Sequence, residues 1–302
     1  MSDFLARACA ASRERVATSR AALELPRLRA AALARPPGPS LAAALARPGT
    51  GVIAEIKRAS PSRGRLSDIP DPAALAQAYA AGGAAAISVL TEPHWFAGGL
   101  DDLRTVSRAV SVPTLRKDFL VDAYQVWEAR LAGAAAVLLI VAALPPADLE
   151  TLMRAVDEAG LDALVEVHAA EEAEVAVAAH QRSGSQRRLM LGINARNLST
   201  LAVDPGQFAR VHGALAAMTG LTGMPGMAAD ALLVAESGVS GAQDVTRLAA
   251  EGAAAVLVGE HVATAADPRV AVAALVAAGA AAEVPSPSPV PPVSPVSTRP
   301  TP

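Results

Sequence analysis

The sequence predicts an α/β fold, a (β/α)8 TIM barrel, and three features of its patterning carry that reading. Eight short apolar runs recur along the chain: Val52–Ile56, Ala86–Leu90, Pro113–Leu115, Val137–Val141, Ala163–Val167, Met190–Ile193, Leu232–Ala235 and Ala255–Val258. Their spacing is mostly about 25–30 residues, the length of a βα unit, and Ala-rich stretches of helical period fill the gaps. The runs are continuous rather than alternating, as expected of strands buried on both faces. A doubly wound open sheet is the competing architecture; eight equivalent units favour closure.

Taken in order, residues 1–50 are rich in Arg, Ala and Leu and break at Pro36-Pro37-Gly38-Pro39. They read as an N-terminal helical extension preceding a barrel domain over 51–282. Asp71-Pro72 opens a helix over Ala73–Ala81, Pro145-Pro146-Ala147-Asp148 one over Leu149–Ala159, and Ser240 one over Ala242–Ala250. Gly82-Gly83, Gly133, Gly160, Gly252 and Gly279 read as helix ends. A phrase of one glycine and three alanines recurs at Gly83, Gly133 and Gly252, each time before a strand, and marks three equivalent αβ turns. The long Gly- and Met-containing link from Val211 to Asp230 predicts a helix followed by a surface loop. Beyond Glu283 the composition falls to Pro, Ser, Thr and Val, so 283–302 is expected to be a disordered tail of polyproline character.

Composition excludes several classes of function. Of 302 residues, 52 % are hydrophobic and only 3 % aromatic, which implies a large core built from Ala, Val and Leu. A net charge of -3 without a basic stripe argues against a nucleic-acid partner. Cys9, the sole cysteine, cannot form an internal disulfide and suits a reducing compartment. Charges at Asp3, Arg7, Arg13 and Glu14 break up any secretory signal. The longest apolar stretch, Leu131–Leu144, is shorter than the roughly 18–20 residues of a membrane span. The expectation is a cytoplasmic protein with no membrane partner, monomeric in solution.

In a parallel barrel the chemistry sits at the C-terminal ends of the strands. Glu55 and Lys57 end the first strand two residues apart, hence on one face. Lys117 ends the third, Glu166 interrupts the fifth, Asn194 closes the sixth and Glu236 the seventh. Five strands of eight delivering a charge or amide to one rim is a pattern that burial costs would erase without a function. Desolvation is expected to lower a lysine and raise a glutamate in such a mouth, supplying both an acid and a base. Gly238, after Ser237, and Gly259 follow the seventh and eighth strands, where barrels of this kind bind phosphate through backbone N–H groups. His94, His168, His180, His212 and His261 show no metal-ligand spacing, so no metal is expected. His168, two residues past Glu166, is expected at the surface or behind the site. No dinucleotide-type glycine motif is present, so no cofactor is expected.

These residues resemble one family. Val52–Ser62 (Val-Ile-Ala-Glu-Ile-Lys-Arg-Ala-Ser-Pro-Ser), Leu115–Phe119, Leu164–Val167, Gly192–Leu198 and Ala235–Val239 look like the signature segments of indole-3-glycerol-phosphate synthases, in the right order between about Gly51 and Gly279. The resemblance implies a phosphorylated small-molecule substrate, 1-(2-carboxyphenylamino)-1-deoxyribulose 5-phosphate, closed to an indole with loss of carbon dioxide and water. It implies Lys117 as general acid, Glu166 as proton acceptor, and Glu55 with Lys57 as a second acid–base pair. Asn194 and Glu236 would hold hydroxyls or the departing water. Ser60, Arg196, Ser237, Gly238 and Gly259 would bind substrate, chiefly at the phosphate, and Phe119 would line the aromatic pocket. The chain departs from the pattern at Glu260-His261, where many members have a small residue, and at Ala123, where proline is frequent. Two rivals are a phosphoribosylanthranilate isomerase, which would want a cysteine where Glu55 and Lys57 stand, and a non-catalytic phosphate-binding barrel, which would show an eroded rim.

Overall fold

The computed structural model describes residues 3–197, 200–221 and 230–281. Eight parallel strands close into a barrel: β1 (Gly51–Ile56), β2 (Ala86–Leu90), β3 (Thr114–Lys117), β4 (Ala136–Ile140), β5 (Asp162–Val167), β6 (Met190–Asn194), β7 (Leu232–Glu236) and β8 (Ala255–Val258). They stand in chain order around the ring, and β1 completes it by pairing with both β2 and β8. The closed barrel is thus the observed architecture, and the open sheet is not.

The extension folds as α1 (Asp3–Ala22), α2 (Leu25–Leu33) and α3 (Leu41–Leu45), the last two separated at the expected proline cluster. The outer layer comprises α4 (Pro72–Ala81), α5 (Pro93–Phe96), α6 (Leu100–Ala109), α7 (Ala123–Ala132), α8 (Pro146–Glu158), α9 (Ala170–Ser183), α10 (Gln207–Leu221), α11 (Ala242–Ala250), α12 (Glu260–Ala263) and α13 (Pro268–Ala281). Leu198, residues 222–229 of the long link, and the tail 283–302 lie outside the described residues.

The three Gly-Ala-Ala-Ala phrases are one turn used three times. Gly83, Gly133 and Gly252 have φ of 92°, 95° and 94°, a left-handed conformation in which a β-carbon costs about 1–2 kcal/mol. The next residue closes back on its helix: Ala84, Ala134 and Ala253 donate to the carbonyls of Tyr79, Ala129 and Leu248 at 3.1, 2.9 and 2.9 Å. The third residue then joins the barrel, with Ala85, Ala135 and Ala254 each donating to the neighbouring strand at 2.8 Å. The small side chains let each strand start flush against its helix.

Two of the expected helix signals act differently. Asp71 caps α4 by accepting from Ala73 and Ala74 N–H at 2.9 and 3.0 Å, but Ser240 does not cap α11. Gly241 holds the cap position, and Ser240 donates its N–H and hydroxyl to Asp244 at 2.8 and 2.7 Å. Gly279 is not a helix end either; it lies inside α13, where its carbonyl accepts from Thr50 N–H at 3.1 Å. A β-carbon at Gly279 would collide with the Thr50 carbonyl, so the glycine serves close approach of α13 to the foot of β1. The helix in the long link begins at Gln207, earlier than Val211.

Helix propensity alone makes Gly279→Ala stabilising by about 1 kcal/mol. The backbone contact reverses the sign: we expect destabilisation of about 1–3 kcal/mol, as for other overpacked sites, read from urea unfolding of the two proteins.

Candidate active site

Strand β3 shows how the site is assembled. Arg116, Lys117 and Asp118 are consecutive charges, which an alternating strand sends to opposite faces. Arg116 and Asp118 turn outward into the helix layer. The Arg116 guanidinium meets the Gln125 carbonyl at 2.7 Å, Glu128 at 3.2 Å and Asp118 at 3.2 Å. Lys117 turns inward, and its Nζ lies 3.4 Å from Glu166 on β5 and 3.4 Å from Glu236 on β7. Both carboxyls are nearly inaccessible.

The remaining rim residues complete the cluster. Asn194 on β6 donates to Glu166 Oε1 at 3.0 Å, and its own Oδ1 accepts from Arg196 N–H at 2.9 Å. On β1, Lys57 Nζ lies 3.6 Å from Glu55 Oε1, while Ser88 on β2 donates to Glu55 Oε2 at 3.4 Å. Ser88 was missed in the sequence, although it is the one polar residue inside Ala86–Leu90 and that signal could have found it. Gly192 and Gly259 also take part, by having no side chain. A β-carbon at Gly192 would collide with Glu236 Oε1, and one at Gly259 would stand 2.5 Å from Glu55 Oε1. For Gly192, inside β6, glycine within a strand is a known sign of such close approach.

Electrostatics separates the groups. Burial pulls Lys117 down, but Glu166, Glu236 and Glu55 together outweigh it and hold the ammonium above the ordinary lysine range. The expected desolvated, easily deprotonated lysine is therefore not found: the surrounding glutamates overrule desolvation. Burial likewise raises Glu166, and Lys117, His168 and Asn194 outweigh it, leaving a carboxylate well below its usual range. Glu236 is the glutamate that behaves as expected. Burial, then Glu166, pushes it up to about 8 against the pull of Lys117. Neither Glu236 oxygen has a hydrogen-bond partner among the described residues.

The cluster floors a cleft of two lobes that share Lys57, Leu90, Phe96, Lys117, Arg196 and Ser237. The larger, about 400 Å³, is lined by Gly238, Gly259, Arg63, Glu260 and His261. Ser237 and Gly238 both sit in the left-handed region, φ 68° and 81°; for Ser237 this is a strained conformation of the kind that gathers at functional sites. Arg63 pairs with Glu260 at 3.0 Å at this lobe, so the Glu260 carboxylate arrives with its own counter-charge. The smaller lobe, about 100 Å³, is lined by Phe119, Phe96, Phe4, Leu138 and Ile140 with Glu166, Asn194 and Ser60. Ser60 was expected at the phosphate; it lies instead with the aromatic side chains and does not line the larger lobe. Arg63 and Phe4 were missed, because both come from segments outside the strands. Phe4 stacks edge-on to Phe119 at 5.9 Å. Among the described residues no group of three or more potential metal ligands gathers, and no helix is long and apolar enough to cross a membrane.

Fold and site together define a (β/α)8-barrel with a buried acid–base cluster beneath a cleft that has one polar and one aromatic lobe. A family model for indole-3-glycerol phosphate synthase matches residues 5–275. Proteins of that name from Rhodococcus opacus (strain B4) and Mycolicibacterium smegmatis are 50 % and 49 % identical over 273 residues, which is 90 % of this chain and 94 % and 93 % of theirs. The chain belongs to the indole-3-glycerol phosphate synthase family. Among solved structures, thiamine phosphate pyrophosphorylase from Pyrococcus furiosus (15 % identity, TM-score 0.53) covers 79 % of this chain and 97 % of its own. The corresponding values for 3-hexulose-6-phosphate synthase from Salmonella typhimurium are 16 %, 0.53, 76 % and 98 %; both share the fold alone.

Glu236 also gives the stability a pH signature. As pH rises past the ordinary carboxylate range, the unfolded chain releases this proton while the folded chain keeps it until about 8. Its contribution is therefore full in acid and is lost as pH rises through that value. Glu236→Gln does not titrate. Compared by urea unfolding at about pH 5 and about pH 9, the stability difference should shift in favour of the variant at the higher pH; a difference independent of pH would contradict the assignment.

Proposed function

We propose that this chain is a lyase catalysing the reaction for which its family is named. The substrate is 1-(2-carboxyphenylamino)-1-deoxyribulose 5-phosphate. The products are indole-3-glycerol phosphate, carbon dioxide and water, a step of tryptophan biosynthesis that calls for no cofactor. The observation that carries the reading is Lys117, held as an ammonium 3.4 Å from each of two buried glutamates at the meeting point of the lobes.

Size and polarity orient the substrate. Its aromatic ring suits the smaller lobe against Phe119, with Ser60 and Asn194 for polar contact. Its phosphate suits the larger lobe, where Lys57, Arg196, Ser237, Gly238 and Gly259 stand. The ketone then lies near Lys117. Lys117 protonates the carbonyl oxygen as the carboxylate-bearing ring carbon attacks, and loss of carbon dioxide restores the aromatic ring. The resulting hydroxyl takes a proton from Lys57 of the second acid–base pair and leaves as water, while Glu166 accepts the ring-carbon proton released as the new double bond forms. Glu236, neutral below about pH 8, holds the substrate hydroxyl or the departing water. Glu55 and Lys57 form a second pair that orients the chain of the sugar. Among the described residues the exposed large apolar ones are Leu33, Val203 and Val270, on three separate segments, which supports a monomer.

The test is the growth of indole fluorescence when purified protein meets the carboxyphenylamino-deoxyribulose phosphate. Wild type is expected to form product, and Lys117→Ala to lose about 10²–10⁴-fold in kcat, the usual contribution of a positioned general acid. Binding of the phosphate ester without indole product from wild type would replace this reading with the binding-barrel one.

A further inference from the structure

Glu166 and Glu236 differ in the groups that stand beside them. Both face Lys117 at the same distance, and both are buried, yet only Glu166 has a histidine beside it. Glu166 and His168 are two residues apart at the end of β5 and so share a face. His168 Nε2 lies 3.3 Å from Glu166 Oε1, off the line of a full hydrogen bond. Its Nδ1 lies 3.3 Å from Glu172 Oε2 on α9, and the His168 N–H donates to the same oxygen at 2.7 Å. Gln207 on α10 fixes the loop by donating to the His168 carbonyl. Side-chain exposure rises along the row, from 3 % at Glu166 to 14 % at His168 and 26 % at Glu172. The imidazole is thus enclosed between two carboxylates, one inside the barrel mouth and one at its edge.

We propose that His168, held by Glu172, is a positioning residue that assigns the single proton of the Glu166–Glu236 pair to Glu236, keeping Glu166 free as the base. The proposal rests on the reading of Glu166 as proton acceptor. Two carboxyls on either side of one ammonium behave as a coupled pair, and their shared proton goes to whichever is less well solvated by its surroundings. The groups facing the pair are Lys117 from β3, Asn194 from β6, His168 from β5 and, at longer range, Glu55 from β1. Lys117 serves both carboxyls, while Asn194 and His168 serve Glu166 alone. Of these two only His168 carries charge: burial pulls it down, but Glu166 and Glu172 push it up to about 10, so it is an imidazolium at neutral pH. Glu236 has no comparable donor. His168 touches no reacting atom in this arrangement.

The experiment compares kcat and KM against pH for wild type, His168→Gln and Glu172→Gln, with histidine ring NMR on the same proteins. In wild type one histidine, identified by its absence from His168→Gln, should titrate well above the ordinary range and move down in Glu172→Gln. His168→Gln should lose about tenfold or more in kcat at about pH 6, with KM changed little. It should approach wild type at about pH 9, where both glutamates ionise and no proton remains to be assigned. Glu172→Gln should show the same pattern in weaker form. Loss by one factor at every pH, wild-type behaviour of His168→Gln, or an ordinary titration of His168 would each overturn the proposal. The NMR arm needs no substrate, so a wild type that forms no indole product would sink the synthase reading and leave the histidine result standing on its own.

Discussion

Placing an ammonium and two carboxyls together in the mouth of an apolar barrel is costly unless each group compensates the others, and much of the upper half of this molecule follows from that requirement. Lys117 can sit between Glu166 and Glu236 only because β3, β5 and β7 deliver inward-facing residues at one height. Glu236 fits only because the facing position on β6 is Gly192, and Glu55 beside the cluster only because Gly259 follows β8, where any side chain would occupy their space. Below the cluster the interior reverts to Val, Leu, Ile and Ala, most of them fully buried. Charge is confined to one layer, and the layers beneath supply the packing.

The N-terminal extension is tied to this layer rather than merely attached to the barrel. Arg15 on α1 reaches Asp118 at 2.6 Å and Glu92 at 3.3 Å. Ser12 donates to the Phe119 carbonyl at 2.5 Å, and Gln125 donates to Ser12 at 2.9 Å. These contacts grip the residues immediately after Lys117. Phe4, from the first turn of the same helix, adds a wall of the smaller lobe. The extension therefore sets both the exit path of β3 and the shape of the aromatic compartment, so its removal would be felt at the site and not only in stability.

Much of this was legible in the sequence, and the failures have a common cause. The strand runs, the repeated αβ turn and the rim residues from Glu55 to Glu236 are local signals, each set by period or backbone conformation within a few residues. What stayed hidden depends on distance in sequence. Gly279 reads as a helix end until Thr50, more than two hundred residues earlier, is found against it. That Ser60 lines the smaller lobe with the aromatic side chains appears only once the cleft divides in two. Lys117 reads as a desolvated lysine until three glutamates from other strands surround it. His168, expected at the surface or behind the site, does stand behind Glu166; which oxygen it meets there, and that Glu172 holds it from the other side, only the fold shows.

Two buried acids show why the site, and not the scaffold, holds the reactivity. Asp118 accepts from Arg15, Thr91, Arg116 and its neighbour Phe119 N–H, at 2.6 to 3.2 Å. A carboxylate so completely paired is fixed, and removing any one donor leaves the others in place. Glu236 is equally buried, yet it meets only the charge of Lys117 and the carboxyl of Glu166, and no group donates a hydrogen bond to it among the described residues. A polar group left unsatisfied in an interior raises the free energy of the folded state, by about 1–3 kcal/mol for a neutral group. The same deficit makes it a ready partner for any hydroxyl that enters the cleft, since the ligand then supplies the missing hydrogen bond. The scaffold thus satisfies its acids where it needs rigidity and withholds partners where the substrate is to provide them. That distribution separates the outward residues of β3 from the inward ones, although they are neighbours in sequence.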